Sequence, residues 1–305
     1  WYDTDASDGE FKRPDSGFRH WVTQDGQPGP NGRNGFKAES GRYHLFVSLA
    51  CPWAHRTLIF RQLKGLNDLI SVSIVQPLML KNGWEFPPSG DELYGLNYLY
   101  QLYLKADSGY EGRVTVPVLW DSETKNIVSN SDDDIMRMFN QVFHPFTKSS
   151  IDLYPRDLRQ EIDELNAFIY EKVNNGVYRA GFATSQDAYE QSVTELFDAL
   201  DHLENRLSTQ RYVFGQRITE TDWRLFVTLI RFDAVYHGHF KCNIRRIVDY
   251  PNLFEYLKDL YQQEGINTTV KFDHIKRHYY MTHDDINPTG VVPLGPTQDL
   301  LSLHG

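Results

Sequence analysis

Cys51 has the surroundings of a reactive thiol. Residues 42–47 are β-rich and alternating, the loop Ser48-Leu49-Ala50-Cys51-Pro52 follows, and residues 53–64 have helical character with Gly65 placed to cap them. A proline directly after the cysteine suits the first helical position, which puts the sulfur near a helix N-terminus. Unpaired backbone N–H groups and the helix dipole stabilise a thiolate there, and His55 and Arg56 add positive potential. A lone cysteine is usually a small buried hydrophobe; the strand–helix junction and the following proline favour the reactive reading. Ala54 stands where a dithiol motif would carry its second cysteine, so Cys51-Pro52-Trp53-Ala54 cannot close an internal disulfide. A reactive Cys51 must then be resolved by an external thiol, which is monothiol chemistry.

Three other groups could share that chemistry. Val116-Pro117 lies in a strand-like run at 114–120. Proline there is either an edge or bulge feature or, if cis, leaves the Val116 backbone open to an extended peptide ligand. Ser129-Asn130-Ser131-Asp132-Asp133-Asp134 precedes a helical run and reads as ordinary N-capping or as a helix end that grips a ligand's charged terminus. Among 18 tyrosines, Tyr178, Tyr236 and Tyr279 stand out as packing residues or as phenols able to donate protons or stabilise an oxyanion. His237 and His239 have aromatic neighbours and no Cys or acidic partner at ligand spacing, so packing is expected and no metal site.

The elements that must position these residues fall into two blocks. Residues 1–40 are polar, rich in Gly and Pro, and read as an irregular N-terminal extension. Strand 42–47, helix 53–64 and strand 69–75 make a parallel βαβ unit. A Tyr-, Gly- and Asn-rich insertion spans 78–112, and strand 114–120, a turn at 121–126, a short strand at 127–128 and a helix at 132–139 complete the pattern. The order β-α-β then β-β-α is that of a thioredoxin-like domain. Beyond Pro155 the chain is largely helical, at 158–173, 185–207, 222–235 and 253–261. Thr219 and Asp222 have the spacing of a capping pair, with Ile218 and Trp223 as a hydrophobic staple. Residues 272–305 return to Pro, Gly, His and Tyr and read as an ordered tail rather than a helix. The expected division is 1–40 extension, 41–150 thioredoxin-like domain, 151–270 all-helical domain and 271–305 tail.

Composition limits the function classes. A chain of 305 residues fits two domains at ~150 residues each. Acidic residues outnumber basic ones 41 to 31, a net charge of −10, which argues against nucleic-acid and anionic-membrane partners. Two cysteines far apart show no disulfide framework, so a reducing, cytoplasmic setting is the simpler expectation.

With these residues in place the chain resembles the glutathione transferase superfamily, and within it the glutathionyl-hydroquinone reductases, or Xi class. The likeness runs over residues 11–296. It is carried by Arg13-Pro14-Asp15-Ser16, by Ala50-Cys51-Pro52-Trp53-Ala54-His55-Arg56, and by Gly112-Arg113-Val114-Thr115-Val116-Pro117-Val118-Leu119-Trp120-Asp121. Further along it is carried by Asn175-Gly176-Val177-Tyr178-Arg179-Ala180-Gly181-Phe182-Ala183, Gly238-His239-Phe240-Lys241-Cys242-Asn243 and Ile286-Asn287-Pro288-Thr289.

The resemblance implies a thioredoxin-like N-terminal domain, an all-α C-terminal domain, glutathione as co-substrate and a homodimer. Cys51 resembles the catalytic nucleophile, and Tyr178, Tyr236 and Tyr279 the trio lining an aromatic pocket. Trp53, Trp84, Arg113, Val116, Pro117, Ser131 and Asp132 match positions that hold glutathione. One departure stands out. The family's Glu-Ser before the helix that grips the γ-glutamyl end is here Ser131-Asp132. A carboxylate misplaced ~4 Å from a ligand carboxylate costs about 4 kcal/mol at an effective dielectric near 20. The expected activity is therefore removal of glutathione from a glutathionyl-hydroquinone. The alternatives are a general thioltransferase or dehalogenating transferase, and a non-catalytic binding member with a weakened glutathione grip.

Overall fold

The computed structural model describes Phe11 and residues 15–302; Arg13 and Pro14 lie outside them. The described chain forms two compact units. The first comprises Asp15–Asp152 and Thr268–His278; the second comprises Phe11, Leu153–Asn267 and 279–302.

In the first unit the elements run β1 (Trp21–Thr23), β2 (Gly35–Lys37), β3 (Tyr43–Val47), α1 (Pro52–Leu63), β4 (Ser71–Ile74), β5 (Met79–Leu80), β6 (Gly83–Trp84), α2 (Leu99–Ala106), β7 (Val118–Asp121), β8 (Asn126–Ser129) and α3 (Asp132–Gln141). The central sheet has the order β4-β3-β7-β8, with β3 parallel to β4 and the other pairs antiparallel. Every residue of β3 is buried, as in a strand covered on both faces. The helix α1 is buried from Pro52 to Phe60 and packs with α3. Gly65, at φ +64°, ends it: its N–H donates to the Gln62 carbonyl while Leu66 N–H reaches the Arg61 carbonyl, a turn that favours a residue without Cβ.

Three expectations change here. The 1–40 extension is not wholly irregular, because β1 and β2 pair in parallel. The insertion at 78–112 contains α2, whose Tyr103 substitutes for a strand partner. The Tyr103 hydroxyl donates to the Thr115 carbonyl at 2.8 Å and accepts from the Thr115 N–H at 3.2 Å. The strand expected from 114 begins only at Val118, since Pro117 has no N–H to give a ladder. The Val116–Pro117 peptide is cis.

The second unit holds α4 (Arg159–Ile169), α5 (Gly176–Gly181), α6 (Gln186–Leu207), α7 (Glu220–Arg231) and α8 (Pro251–Gln262). Ser185 caps α6 by accepting from Ala188 N–H, and Thr219 with Asp222 forms the anticipated capping box of α7. Two of the expected long helices are interrupted: α4 passes into a π-helical stretch at Tyr170–Asn174, and α7 into another at Phe232–Tyr236. Such widened turns shift the face that the following residues present. The first leads into α5, which carries Tyr178, and the second ends on Tyr236.

The tail reading from residue 272 is corrected. Phe272–Thr282 is a helix, α9, which passes from the first unit to the second after His278. Its Pro- and Gly-rich continuation starts only at Pro288, and buried Ile275, His278, Tyr279 and Thr282 fall at helical spacing. Among the described residues no helix is long and apolar enough to cross a membrane.

Candidate functional site

Cys51 is the N-cap residue of α1. Its backbone is extended (φ −70°, ψ 121°), its side chain makes no capping bond, and Pro52 occupies the first turn. The His55 N–H donates to the Cys51 carbonyl at 3.0 Å, closing the first helical turn on the cysteine itself. The half-buried sulfur thus stands at the positive end of the helix, 3.8 Å from the Val116 carbonyl oxygen. Neither cysteine is in a disulfide. Among the described residues no hydrogen bond engages the Val116 N–H.

The two basic neighbours of Cys51 have other partners in this fold. His55 Nε2 lies 2.8 Å from Thr269 Oγ1. Arg56, almost wholly buried, lays its guanidinium over the Trp53 ring at 4.5 Å and donates from Nη1 to Asp132 Oδ2 at 2.8 Å, with Asp133 at 3.8 Å. Ser131 is the N-cap of α3, accepting from Asp134 N–H at 3.4 Å, and Asp134 is in turn forked to Arg19 with two bonds of 2.7 Å. The departure at Ser131-Asp132 therefore places a carboxylate that the protein already neutralises, rather than a bare charge facing a ligand. Arg56 was expected to support Cys51, and its role as the counter-ion of Asp132 was invisible across 76 residues of sequence.

The other glutathione-matching positions are spread along the first unit. Pro117 is buried beside Val116. Arg113 is exposed, and its carbonyl accepts from the Tyr110 hydroxyl at 2.7 Å. Trp84 ends the short β5–β6 hairpin, buried, with its ring stacked on His278 at 5.0 Å and 20°.

In the second unit the three singled-out tyrosines meet. Tyr279 is central, its hydroxyl 2.5 Å from that of Tyr178 and 3.0 Å from that of Tyr236. Burial, reinforced by the two neighbouring phenols, pushes the Tyr279 hydroxyl well above the usual tyrosine range, so it stays protonated. Either oxygen can be the donor in each of these two bonds, so the trio can pass a proton among its members. Phe240 stacks on Tyr236 at 5.5 Å and 16°, and Phe11 on Tyr178 at 6.0 Å. Gly181 is required here, because a Cβ on it would fall 2.2 Å from the Phe240 ring.

Sequence reasoning missed His283, whose Nδ1 lies 3.0 Å from His239 Nε2 beneath the same cluster. The signal for it was weak: His283 is one helical turn beyond Tyr279, on the stripe that was read as tail. Cys242 is fully buried, and burial lifts its thiol above the ordinary range, so it behaves as a packing residue. Among the described residues no group of three or more His, Cys, Asp or Glu could hold a metal ion.

Comparison with known proteins gives two family matches. The model described as "Glutathione S-transferase, N-terminal domain" matches residues 50–142, and "Glutathione S-transferase, C-terminal domain" matches 186–259. The chain is 56% identical to the glutathionyl-hydroquinone reductase YqjG of Escherichia coli K12, covering all of this chain and 94% of that protein. It is 49% identical to the glutathionyl-hydroquinone reductase PcpF of Sphingobium chlorophenolicum, over 99% and 95% of the two chains. Among solved structures, the glutathione-bound YqjG superposes with a TM-score of 0.93 at 57% identity, over 94% and 95% of the chains. The Xi transferase of Phanerochaete chrysosporium gives 0.89 at 49% identity, over 94% and 97%.

Proposed function

The chain belongs to the glutathione S-transferase family, in its glutathionyl-hydroquinone reductase or Xi-class branch, and from that premise we propose that it strips glutathione from glutathionyl-hydroquinones through Cys51. One observation carries the reading: a half-buried cysteine that is itself the N-cap of α1, with no second thiol in its motif.

The Cys51 thiolate attacks the sulfur of the conjugate. The sulfur–carbon bond breaks, the electron pair and one proton go to the ring carbon, and the hydroquinone leaves. Cys51 is left as a mixed disulfide with glutathione. A second glutathione, as thiolate, attacks the glutathionyl sulfur of that disulfide, giving oxidised glutathione and the free Cys51 thiolate. The sum is conjugate plus glutathione to hydroquinone plus oxidised glutathione.

In this reading Trp53, Trp84, Arg113, Val116, Pro117, Ser131 and Asp132 hold glutathione, with the Val116 N–H pairing to its peptide backbone. The pairing of Asp132 with buried Arg56 supports glutathione as the thiol, since it removes the uncompensated charge expected to repel it. Tyr178, Tyr236 and Tyr279 serve the ring, and one of these phenols donates the proton to the departing quinol. The same reading takes the working form to be a cytoplasmic homodimer, which size-exclusion chromatography with light scattering and cell fractionation would test.

The direct test is mass spectrometry of Cys51 after single-turnover mixing with a glutathionyl-hydroquinone. One glutathionyl group is expected on Cys51, with one equivalent of hydroquinone released. Release of hydroquinone without that adduct would sink the mechanism.

A further inference from the structure

Trp84 sits on a weak platform. The β5–β6 hairpin has two residues per strand, Met79 opposite Trp84 and Leu80 opposite Gly83. The ladder is short, and nearby backbone extends it: Gln76 N–H donates to the Glu85 carbonyl at 2.7 Å, and Glu85 bridges to Tyr98. The contact on the face of the indole comes from far along the chain. His278 lies flat against the Trp84 ring (5.0 Å, 20°), and its Nδ1 is 2.9 Å from the Pro77 carbonyl, two residues before the hairpin. A carbonyl only accepts, so Nδ1 carries the proton and the ring plane of His278 is set by that bond. Trp84 and His278 are both buried. The segment is held at its other end as well, where Thr269 Oγ1 meets His55 Nε2 on the helix that Cys51 caps. Thr268–His278 thus belongs to the first unit, although the whole of Leu153–Asn267 separates it from Asp152.

We propose that His278 is a positioning residue for Trp84, holding the indole in the orientation used to bind the thiol co-substrate. This rests on the reading of Trp84 as part of the glutathione-binding set. His278 acts through its ring face, with the Pro77 bond fixing that face, and takes no part in bond making.

Steady-state kinetics of the full chain, with glutathione varied against a glutathionyl-hydroquinone, separate the roles. His278→Ala should raise the KM for glutathione about three- to tenfold, the worth of an aromatic pair, and leave kcat within about twofold. His278→Phe keeps a flat ring without the donor that sets its plane and should recover part of that loss. His278→Gln keeps a donor without the ring and should not. The glutathione-induced change in tryptophan emission, assigned to Trp84 by its loss in Trp84→Phe, should shrink in His278→Ala and return in part in His278→Phe.

A wild-type KM for glutathione in His278→Ala overturns the proposal, as does recovery by Gln and not by Phe. Should the Ala variant fail to fold, the Phe and Gln pair decides alone. A Trp84→Phe protein with unchanged KM and unchanged emission would remove Trp84 from the site and the proposal with it. Full turnover in Cys51→Ser would instead strike the reaction itself and leave the Trp84–His278 result standing.

Discussion

The surroundings of Cys51 and the tyrosine cluster solve opposite problems. Cys51 is only half-buried, at the end of a helix whose first-turn N–H groups favour negative charge. The tyrosines are sunk among Phe240, His239 and His283, where burial keeps Tyr279 in its protonated form. One region is built to hold an anion and the other to retain a proton. The proposed reaction calls for a thiolate to attack and an acid to protonate the leaving carbon, and the proposal assigns these roles to Cys51 and to the tyrosines.

That contrast can be broken in order of severity. Cys51→Ser should lower deglutathionylation by about 10³-fold or more while leaving the folded state intact, read as kcat/KM beside a thermal melt. If the serine variant turns over normally, the anionic half of the contrast is empty. Tyr279→Phe removes the hydroxyl that both other phenols bond to, and should cost about 10²-fold on the glutathionyl-quinol, the lower range of general-acid contributions. Reduction of a simple disulfide, which needs no protonated carbon, should stay within about twofold; equal losses on both substrates would make the trio structural.

A smaller effect lies in the ion pair behind the thiol helix. Asp132→Asn removes the nearer carboxylate charge from a buried guanidinium, leaving Asp133 at 3.8 Å, and should cost about 2 kcal/mol in chemical denaturation. Arg56→Met leaves a carboxylate that water still reaches, 17% exposed against 1% for Arg56, and should cost under about 1 kcal/mol. Equal costs for the two would show that the pair is not asymmetrically buried.

The smallest effect is a difference in acid response between the units. Burial holds His44, between Ser71 and Ser73, down to about 4 from 6.5. Its neutral form is the native one, so its contribution is complete above 6.5 and is lost as pH falls through about 4. Burial raises Asp222 to about 6 from 3.8, so its contribution is present below 3.8 and fades as pH rises through about 6. Near pH 6 the His44 loss amounts to about 1 kcal/mol. Hydrogen exchange should show protection of β3 and β4 falling between pH 7 and 5 while that of α7 holds or rises, and parallel loss in both would refute the opposed signs.

Much of this was legible from short stretches of chain. Strand, proline and cysteine at one junction announced the cysteine at the helix N-terminus, and Thr219 with Asp222 announced the start of α7, because both signals act within a single turn. The helical stripe Ile275–His278–Tyr279–Thr282 was equally local, yet its His and Tyr content made it read as tail. Tyr103 stayed hidden inside an insertion because its meaning depends on the fold bringing its hydroxyl to the backbone of Thr115, twelve residues away.

The sequence alone determined which groups could react and where α1 and α7 would begin, since capping, proline placement and periodicity are properties of neighbouring residues. Only the tertiary structure decided what meets what. Tyr178 and Tyr279 touch across 101 residues, Arg56 and Asp132 across 76, and His278 and Pro77 across 201. Those pairings follow from how helices and sheet pack, because burial makes an unpartnered charge or hydroxyl costly and so selects the partner that packing brings within reach.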